Sequence, residues 1–281
     1  MDFYLHKGKI TGHEDFNPRD EWLNFGVTLK TSMWFTHGEI PFFDFHIRQA
    51  NSCFEYLQRS FRIGFDDRNE MLRVCKRLIN KNKAYLAGWL HVFLFVADNH
   101  WDYTVTLEKY PHREFPFDEQ GKLVTLSEES KYSQGMAGKS AMLMQDRWAK
   151  EKLKIAGTRY GDTLFCNEKG AVVETIGANI FCITQNRMTT PGPGTGCFED
   201  VVRPLVIRAA AEVGLEVIES GNLTPEDLQK ADEIFTVSEQ YGFKWIMGIG
   251  YKRFVKKRVE SVRSVVGQLI LRERAAEWEI P

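Results

Sequence analysis

The chain has 281 residues, 43% of them hydrophobic, and a formal net charge of −1. That length allows two modest domains or one large one, with a substantial core. The charge balance gives no pull toward nucleic acid or an anionic membrane, no apolar run approaches a membrane span, and the N-terminus MDFYLHKGK lacks a signal-peptide core. The five cysteines (Cys53, Cys75, Cys166, Cys182 and Cys197) are odd in number and form no CxxC pair. They read as reduced thiols of a cytoplasmic protein, not as a disulfide or zinc framework.

Residues 1–38 read as β. A short strand and turn lie in Phe3–Ile10, and a longer strand lies in Asn24–Phe35. After a turn at Gly38-Glu39 a helix starts from Pro41, with Phe45, Ala50, Cys53, Phe54 and Leu57 at near-helical spacing. A second helix is expected over Asp67–Lys81, because Met71, Val74, Cys75 and Leu78 recur at i, i+3, i+4 and i+7. Ala84–Ala97 is almost wholly apolar, too short to span a bilayer, and reads as a central strand. The alternating segment Tyr103–Glu108 pairs with it. This order predicts an α+β domain whose sheet is covered on one face. Tyr110–Gly121 carries two prolines, several charges and a glycine, the best linker in the chain. It sets a small N-terminal domain at 1–118 and a larger C-terminal domain at 119–281.

In the second part a strand at Leu123–Leu126 leads through a loop to Gly138. A helix is expected over Ser140–Ile155, its Lys150, Glu151, Lys152 and Lys154 marking a partly solvated face. Leu164–Phe181, LFCNEKGAVVETIGANIF, reads as strand, turn, strand, turn, strand. The turn Thr190–Gly196 feeds a helix at Val201–Val213, ended by Gly214. A strand at Leu215–Ile218 precedes a helix capped by Thr224 with Pro225 at its first position. A strand at Ile234–Val237 follows, and a long amphipathic helix over Lys252–Trp278 closes the chain.

By residue type alone, Glu174 is a solvated strand-end glutamate and Lys139 a surface lysine. The small and apolar neighbours of Lys139, Met136-Ala137-Gly138 and Ala141-Met142-Leu143-Met144, suit a buried amine instead. GPGTG at 192–196 lacks both the Gly-Lys-Ser/Thr ending of a nucleotide loop and the frame of a dinucleotide site. It does lead into a helix near Asp200-Val201-Val202-Arg203, whose free backbone N–H groups can bind a phosphate. The histidines form no metal cluster. His91 reads as a hydrogen-bonded core residue and His46 as a packing or capping one. There is no HExxH and no Gly-x-Ser-x-Gly elbow.

The block DTLFCNEKGAVVETIGANIF resembles the second-domain signature of the class IV aminotransferases, the fold type IV pyridoxal-phosphate (PLP) enzymes. The pattern is an apolar strand, a polar turn with Gly, Val-x-Glu, a short turn, then Asn-hydrophobic-Phe. The resemblance covers nearly the whole chain and is strongest from about Lys139 to Phe243. It implies a two-domain, D-amino-acid-aminotransferase-like fold, with a small N-terminal α/β sandwich, a β-rich C-terminal domain with helices, and PLP between them. It implies amino transfer between an amino acid and a 2-oxo acid in a cytoplasmic homodimer. The aminodeoxychorismate lyase branch, which eliminates pyruvate, is the alternative chemistry. An aromatic cluster, Trp34, Phe35, Phe42, Phe43 and Phe45, could core either an interface or a domain.

By the same resemblance Lys139 carries the cofactor as a Schiff base and serves as general base, and Glu174 pairs with the pyridine nitrogen. Arg48, the Val201 and Val202 amides and Ser238 form the phosphate cup, and Asn179 is a further cofactor-binding residue. The cup departs from the family pattern. Gly-Ile/Val-Thr-Arg is replaced by Asp200-Val201-Val202-Arg203, preceded by Glu199, so a hydroxyl is lost at Val202 and two carboxylates arrive. Gln49 stands where an arginine is expected, with Arg48 one position early. Glu239 stands where a hydroxyl is expected, with Ser238 before it. Met142 and Leu143 stand where the family often has asparagine or tyrosine. These departures motivate a reading from another class, a family member that has lost PLP and serves as a binding protein.

Overall fold

The computed structural model of the chain describes residues 3–6, 8–12, 27–97, 100–133 and 145–273. It divides into two compact units, one ending at Glu114 and the other starting at Phe115.

The first unit holds strands β1 (Phe3–His6), β2 (Lys9–Gly12), β3 (Val27–Thr36), β4 (Ala87–Val96) and β5 (Trp101–Tyr110), with helices α1 (Phe43–Tyr56) and α2 (Phe65–Lys81). The sheet order is β2-β1-β5-β4-β3, and β4 has a partner on each side, as its apolar run implies. Met71, Val74, Cys75 and Leu78 of α2 are all buried, so its periodicity reports its inner face directly. The inner stripe of α1 includes two polar residues, His46 and Gln49. His46 Nδ1 lies 3.0 Å from Thr31 Oγ1, which lets an imidazole sit under a sheet. His91 differs from its expected core role. It is half-buried, with its ring between Ser32 Oγ (2.9 Å) and Glu108 Oε2 (3.0 Å). Trp34, Phe35, Phe42 and Phe43 are buried within the chain, and Trp34 packs edge-on against Trp89 at 5.0 Å. They form a domain core and are not available as an interface.

The second unit is built on β6 (Phe117–Leu126), β7 (Asp162–Cys166), β8 (Val172–Thr175), β9 (Asn179–Thr184), β10 (Arg187–Pro191), β11 (Glu216–Ser220), β12 (Glu233–Ser238), β13 (Gly242–Ile249) and β14 (Lys252–Arg253). Its helices are α3 (Gln145–Ile155), α4 (Val202–Glu212), α5 (Pro225–Lys230) and α6 (Arg258–Glu273). The strand order is β11-β10-β9-β12-β13-β6-β7-β8, with β14 on β13. Phe181, Phe235 and Phe243 stack across β9, β12 and β13, with ring centroids 5.1 and 5.8 Å apart.

Two expectations change here. The linker shrinks, because Phe117–Gly121 is the start of β6, whose Phe117 and Asp118 run parallel to β13, while its far end, Val124–Leu126, runs parallel to β7. Gly121 permits this: at φ 71° its place for a Cβ lies 2.6 Å from the Trp245 ring, so any side chain would collide. The closing helix starts at Arg258, because Lys252-Arg253 pairs back onto Gly248-Ile249 as a strand. No helix among the described residues is long and apolar enough to cross a membrane.

Candidate functional site

Glu174 is delivered by the β7–β8 hairpin. Asn167 Oδ1 accepts the N–H groups of Lys169 and Ala171, which closes the turn. All four residues of β8 are buried, and Glu174 is 0% exposed. Its carboxylate is met from two sides. Lys131 Nζ donates to Oε2 at 2.5 Å, and Trp148 Nε1 donates to Oε1 at 3.1 Å. Lys131 is itself only 1% exposed.

The segment carrying Lys131 is strapped in place by its backbone. The Lys131 N–H donates to the Cys166 carbonyl at 2.8 Å. Two residues on, the Ser133 N–H and hydroxyl donate to Glu168 at 3.0 and 2.5 Å. Gly196, at φ 77°, lets the strap close, because a Cβ there would lie 2.6 Å from Ser133 Cα. The glycine-rich turn thus serves packing of this segment. A buried charge needs such anchoring. Truncating one partner of a buried pair strands the other, typically at a cost of about 3–5 kcal/mol.

A second buried carboxylate, Asp200, stands at the start of α4. Oδ1 accepts the Val202 and Arg203 N–H groups, both at 3.2 Å, and Asn179 Nδ2 at 2.8 Å. Oδ2 accepts the Glu239 N–H at 2.7 Å. Donors from β9, the helix start and the turn after β12 therefore converge on one side chain. Burial pushes the Asp200 carboxyl up to about 7, and the carboxylate of Glu239 adds to the rise against the pull of these hydrogen bonds. The Arg203 side chain turns elsewhere: Nη2 donates to the Pro191 carbonyl at 2.5 Å and Nη1 meets Glu219 at 2.7 Å. Burial also raises the half-buried Glu199.

The two carboxylates are neighbours in the fold. The turn after Glu174 leads straight into Asn179, which holds Asp200. Trp148, which holds Glu174, packs edge-on against Phe198 just before Asp200, with centroids 5.6 Å apart. Of the residues expected at a site, Glu174, Asn179, Val201, Val202 and Ser238 are all buried in this one unit. Ser238 Oγ accepts the Tyr241 N–H at 3.2 Å and so closes the turn that presents Glu239. Arg48 is exposed on α1 of the first unit, and Gln49 beside it is buried. Lys139 lies outside the described residues, as do Met142 and Leu143. Among the described residues, no group of three or more His, Cys, Asp or Glu side chains is arranged to hold a metal.

Lys131 and Trp148 escape sequence reasoning. Lys131 sits in the polar run SEESKYSQG, which reads as solvated loop, and its partner is 43 positions away. Trp148 shows only as an apolar residue in a charged helix. The role of Asp200 carried a signal, since an aspartate just ahead of a helix, here two positions before Val202, is suited to accept its first free N–H groups.

The family model for amino-transferase class IV matches residues 28–239. The aminodeoxychorismate lyase of Bacillus subtilis is 23% identical over 228 residues, covering 77% of this chain and 75% of that protein. A protein of Methanocaldococcus jannaschii named for branched-chain-amino-acid aminotransferase activity is 35% identical over 99 residues, so this match spans only 33% of its length and 35% of this chain. Among solved structures, the PLP form of the branched-chain aminotransferase of Thermobaculum terrenum superposes with a TM-score of 0.81 at 17% identity, covering 98% of this chain and 96% of that one. The branched-chain aminotransferase of Thermoproteus uzoniensis, solved with norvaline, gives 0.80 at 15% identity, covering 97% of this chain and 95% of that one. At these identities the structural likeness carries the fold, and the family rests on the sequence match. That match runs from β3 of the first unit to the turn that binds Asp200, and by it the chain belongs to the class IV amino-transferases.

Proposed function

We propose that this chain is a PLP-dependent enzyme that moves an amino group between an amino acid and a 2-oxo acid, with Lys139 carrying the cofactor and Glu174 facing its ring nitrogen. The observation that supports this most is the setting of Glu174. A fully buried carboxylate, gripped by an ammonium and an indole N–H, is built to stabilise a cationic N–H group. A protonated pyridine ring presents such a group. When bound, the cofactor supplies an electron sink for the substrate carbon that bears the amino group. Lys131 is not the carrying lysine in this reading. The ring nitrogen and the aldehyde lie on opposite sides of the pyridine, and an ammonium touching Glu174 stands at the nitrogen end.

The ring end fits this cofactor in its donor chemistry, with Lys131 and the ring nitrogen as alternative partners of one carboxylate. The phosphate end, as folded, does not fit, because the Val202, Arg203 and Glu239 N–H groups already serve Asp200. Titration with PLP, followed by absorbance, tests the reading. The wild type is expected to gain a band near the visible edge that borohydride abolishes, and Lys139→Ala to lack it. A wild type without that band in excess PLP overturns the reading.

Pyruvate elimination is the second reading, and the lyase match over 77% of the chain supports it. Pyruvate release from aminodeoxychorismate, without an acceptor 2-oxo acid, distinguishes it from amino transfer. The resemblance also supports a homodimer, and light scattering at micromolar concentration checks the mass.

A further inference from the structure

We infer that Asp200 is a built-in occupant of this site's phosphate cradle, and that it sets the chain's affinity for any phosphate-bearing cofactor. The inference deepens the cofactor reading proposed above and rests on it.

The donors around Asp200 form a set that suits an anion. Two consecutive N–H groups come from the first turn of α4, one from the turn after β12, and an amide from β9. Asp200 fills this set from within the chain, at 7% exposure. The resemblance implies a glycine at this position, which would bring no side chain into the cradle. The nearest arginine in the segment, Arg203, contributes its backbone N–H while its guanidinium is spent on Glu219 and the Pro191 carbonyl. An incoming phosphate therefore meets a carboxylate where it needs donors, and finds no guanidinium from Arg203 in compensation.

The other end of the site repeats the arrangement with the opposite sign. Lys131 sets an ammonium on Glu174, where a pyridine N–H would stand. Each end is thus filled by a side chain whose charge matches the ligand group expected there. The two placements rest on different elements and different hydrogen bonds, so neither follows from the other.

Asp200→Gly and Asp200→Asn, measured beside the wild type, test the inference with two probes, inorganic phosphate and PLP. Calorimetry reads affinity, and the thermal midpoint with and without phosphate reads binding to the folded state. Each donor freed for a charged ligand strengthens binding by roughly tenfold or more. We therefore expect Asp200→Gly to bind phosphate at least about tenfold more tightly than the wild type, by the same reasoning. Asp200→Asn, which removes the charge and keeps the bulk, falls between them. It also covers the case in which glycine uncaps α4 and the protein fails to fold.

Wild-type protein that binds phosphate as tightly as the variants overturns the inference. Folded variants that gain no phosphate affinity also overturn it. Variants that bind phosphate but develop no PLP absorbance uphold the inference and sink the cofactor reading. A wild type that takes up PLP fully at neutral pH, with no gain in Asp200→Gly, does the reverse.

Discussion

Glu174 and Asp200 are both buried carboxylates in one unit, yet they are held by different physics. Glu174 has a full positive charge at 2.5 Å and one indole N–H. Asp200 has three backbone N–H groups and an amide, with the acidic side chain of Glu239 close by. A counter-ion offsets the loss of hydration of a buried charge far better than a few dipoles do. At Asp200 burial outweighs the dipoles and pushes the group up to about 7. The difference separates the two carboxylates. Glu174 sits in an ion pair with Lys131, whereas burial pushes the Asp200 carboxyl toward neutrality.

The largest expected effect breaks the ion pair. Lys131→Ala leaves Glu174 buried without its counter-charge, and should cost about 3–5 kcal/mol in urea unfolding. Adding Glu174→Gln should recover part of that loss, since the stranded charge goes with it. A loss within experimental error in the single variant would mean that Glu174 draws its compensation from elsewhere.

Trp148→Phe is next. It keeps an aromatic ring against Phe198 but removes the indole N–H and part of the ring volume, so the expected cost is about 1.5–3 kcal/mol for the hydrogen bond to a charged group, plus that of the lost packing. Trp148→Leu should cost more, and the gap between the two variants measures ring packing.

The pH dependence sharpens the other side of the comparison. The Asp200 carboxyl rises from 3.8 unfolded to about 7 folded. Between those values the folded chain holds the extra proton, so stability falls as pH rises through that window and levels off above it. Asp200→Asn should remove the share of this slope that Asp200 contributes. The charged groups nearby are Glu239, Glu199 and Arg203. Burial raises Glu199 as well, so a shallower slope of the same sign should persist in the variant. Identical slopes in the two proteins would mean that Asp200 does not titrate in this range.

The smallest change is expected from Glu239→Thr. Its backbone N–H stays on Asp200, and only the side-chain charge goes. Phosphate affinity should rise less than in Asp200→Gly, and the Asp200 midpoint should fall. A larger gain than in Asp200→Gly would make Glu239 the occupant of the cradle.

Where neighbours in sequence are neighbours in space, the elements were legible. The four inward residues of α2 follow from spacing alone. So does the start of α5, where Thr224 Oγ1 accepts the Asp227 N–H and Asp227 returns the bond to the Thr224 N–H. The β7–β8 hairpin announced itself through Asn167 and Gly170, and with it the position of Glu174. The polar start of β6 did not, because its strand character comes from a parallel partner, β13, far away in the chain. Nor did β14, two residues long and paired only with the end of β13.

The sequence by itself determined the two-part α+β organisation, the family pattern around Glu174 and the odd carboxylates at Glu199, Asp200 and Glu239. Only the tertiary structure decided what those charges do. It turned Arg203 toward Glu219, brought Lys131 onto Glu174 and folded Asp200 back onto the N–H groups of its own helix. The reason is that a charge in a dry interior takes its role from whichever groups replace water around it, and those groups come from elements far apart along the chain.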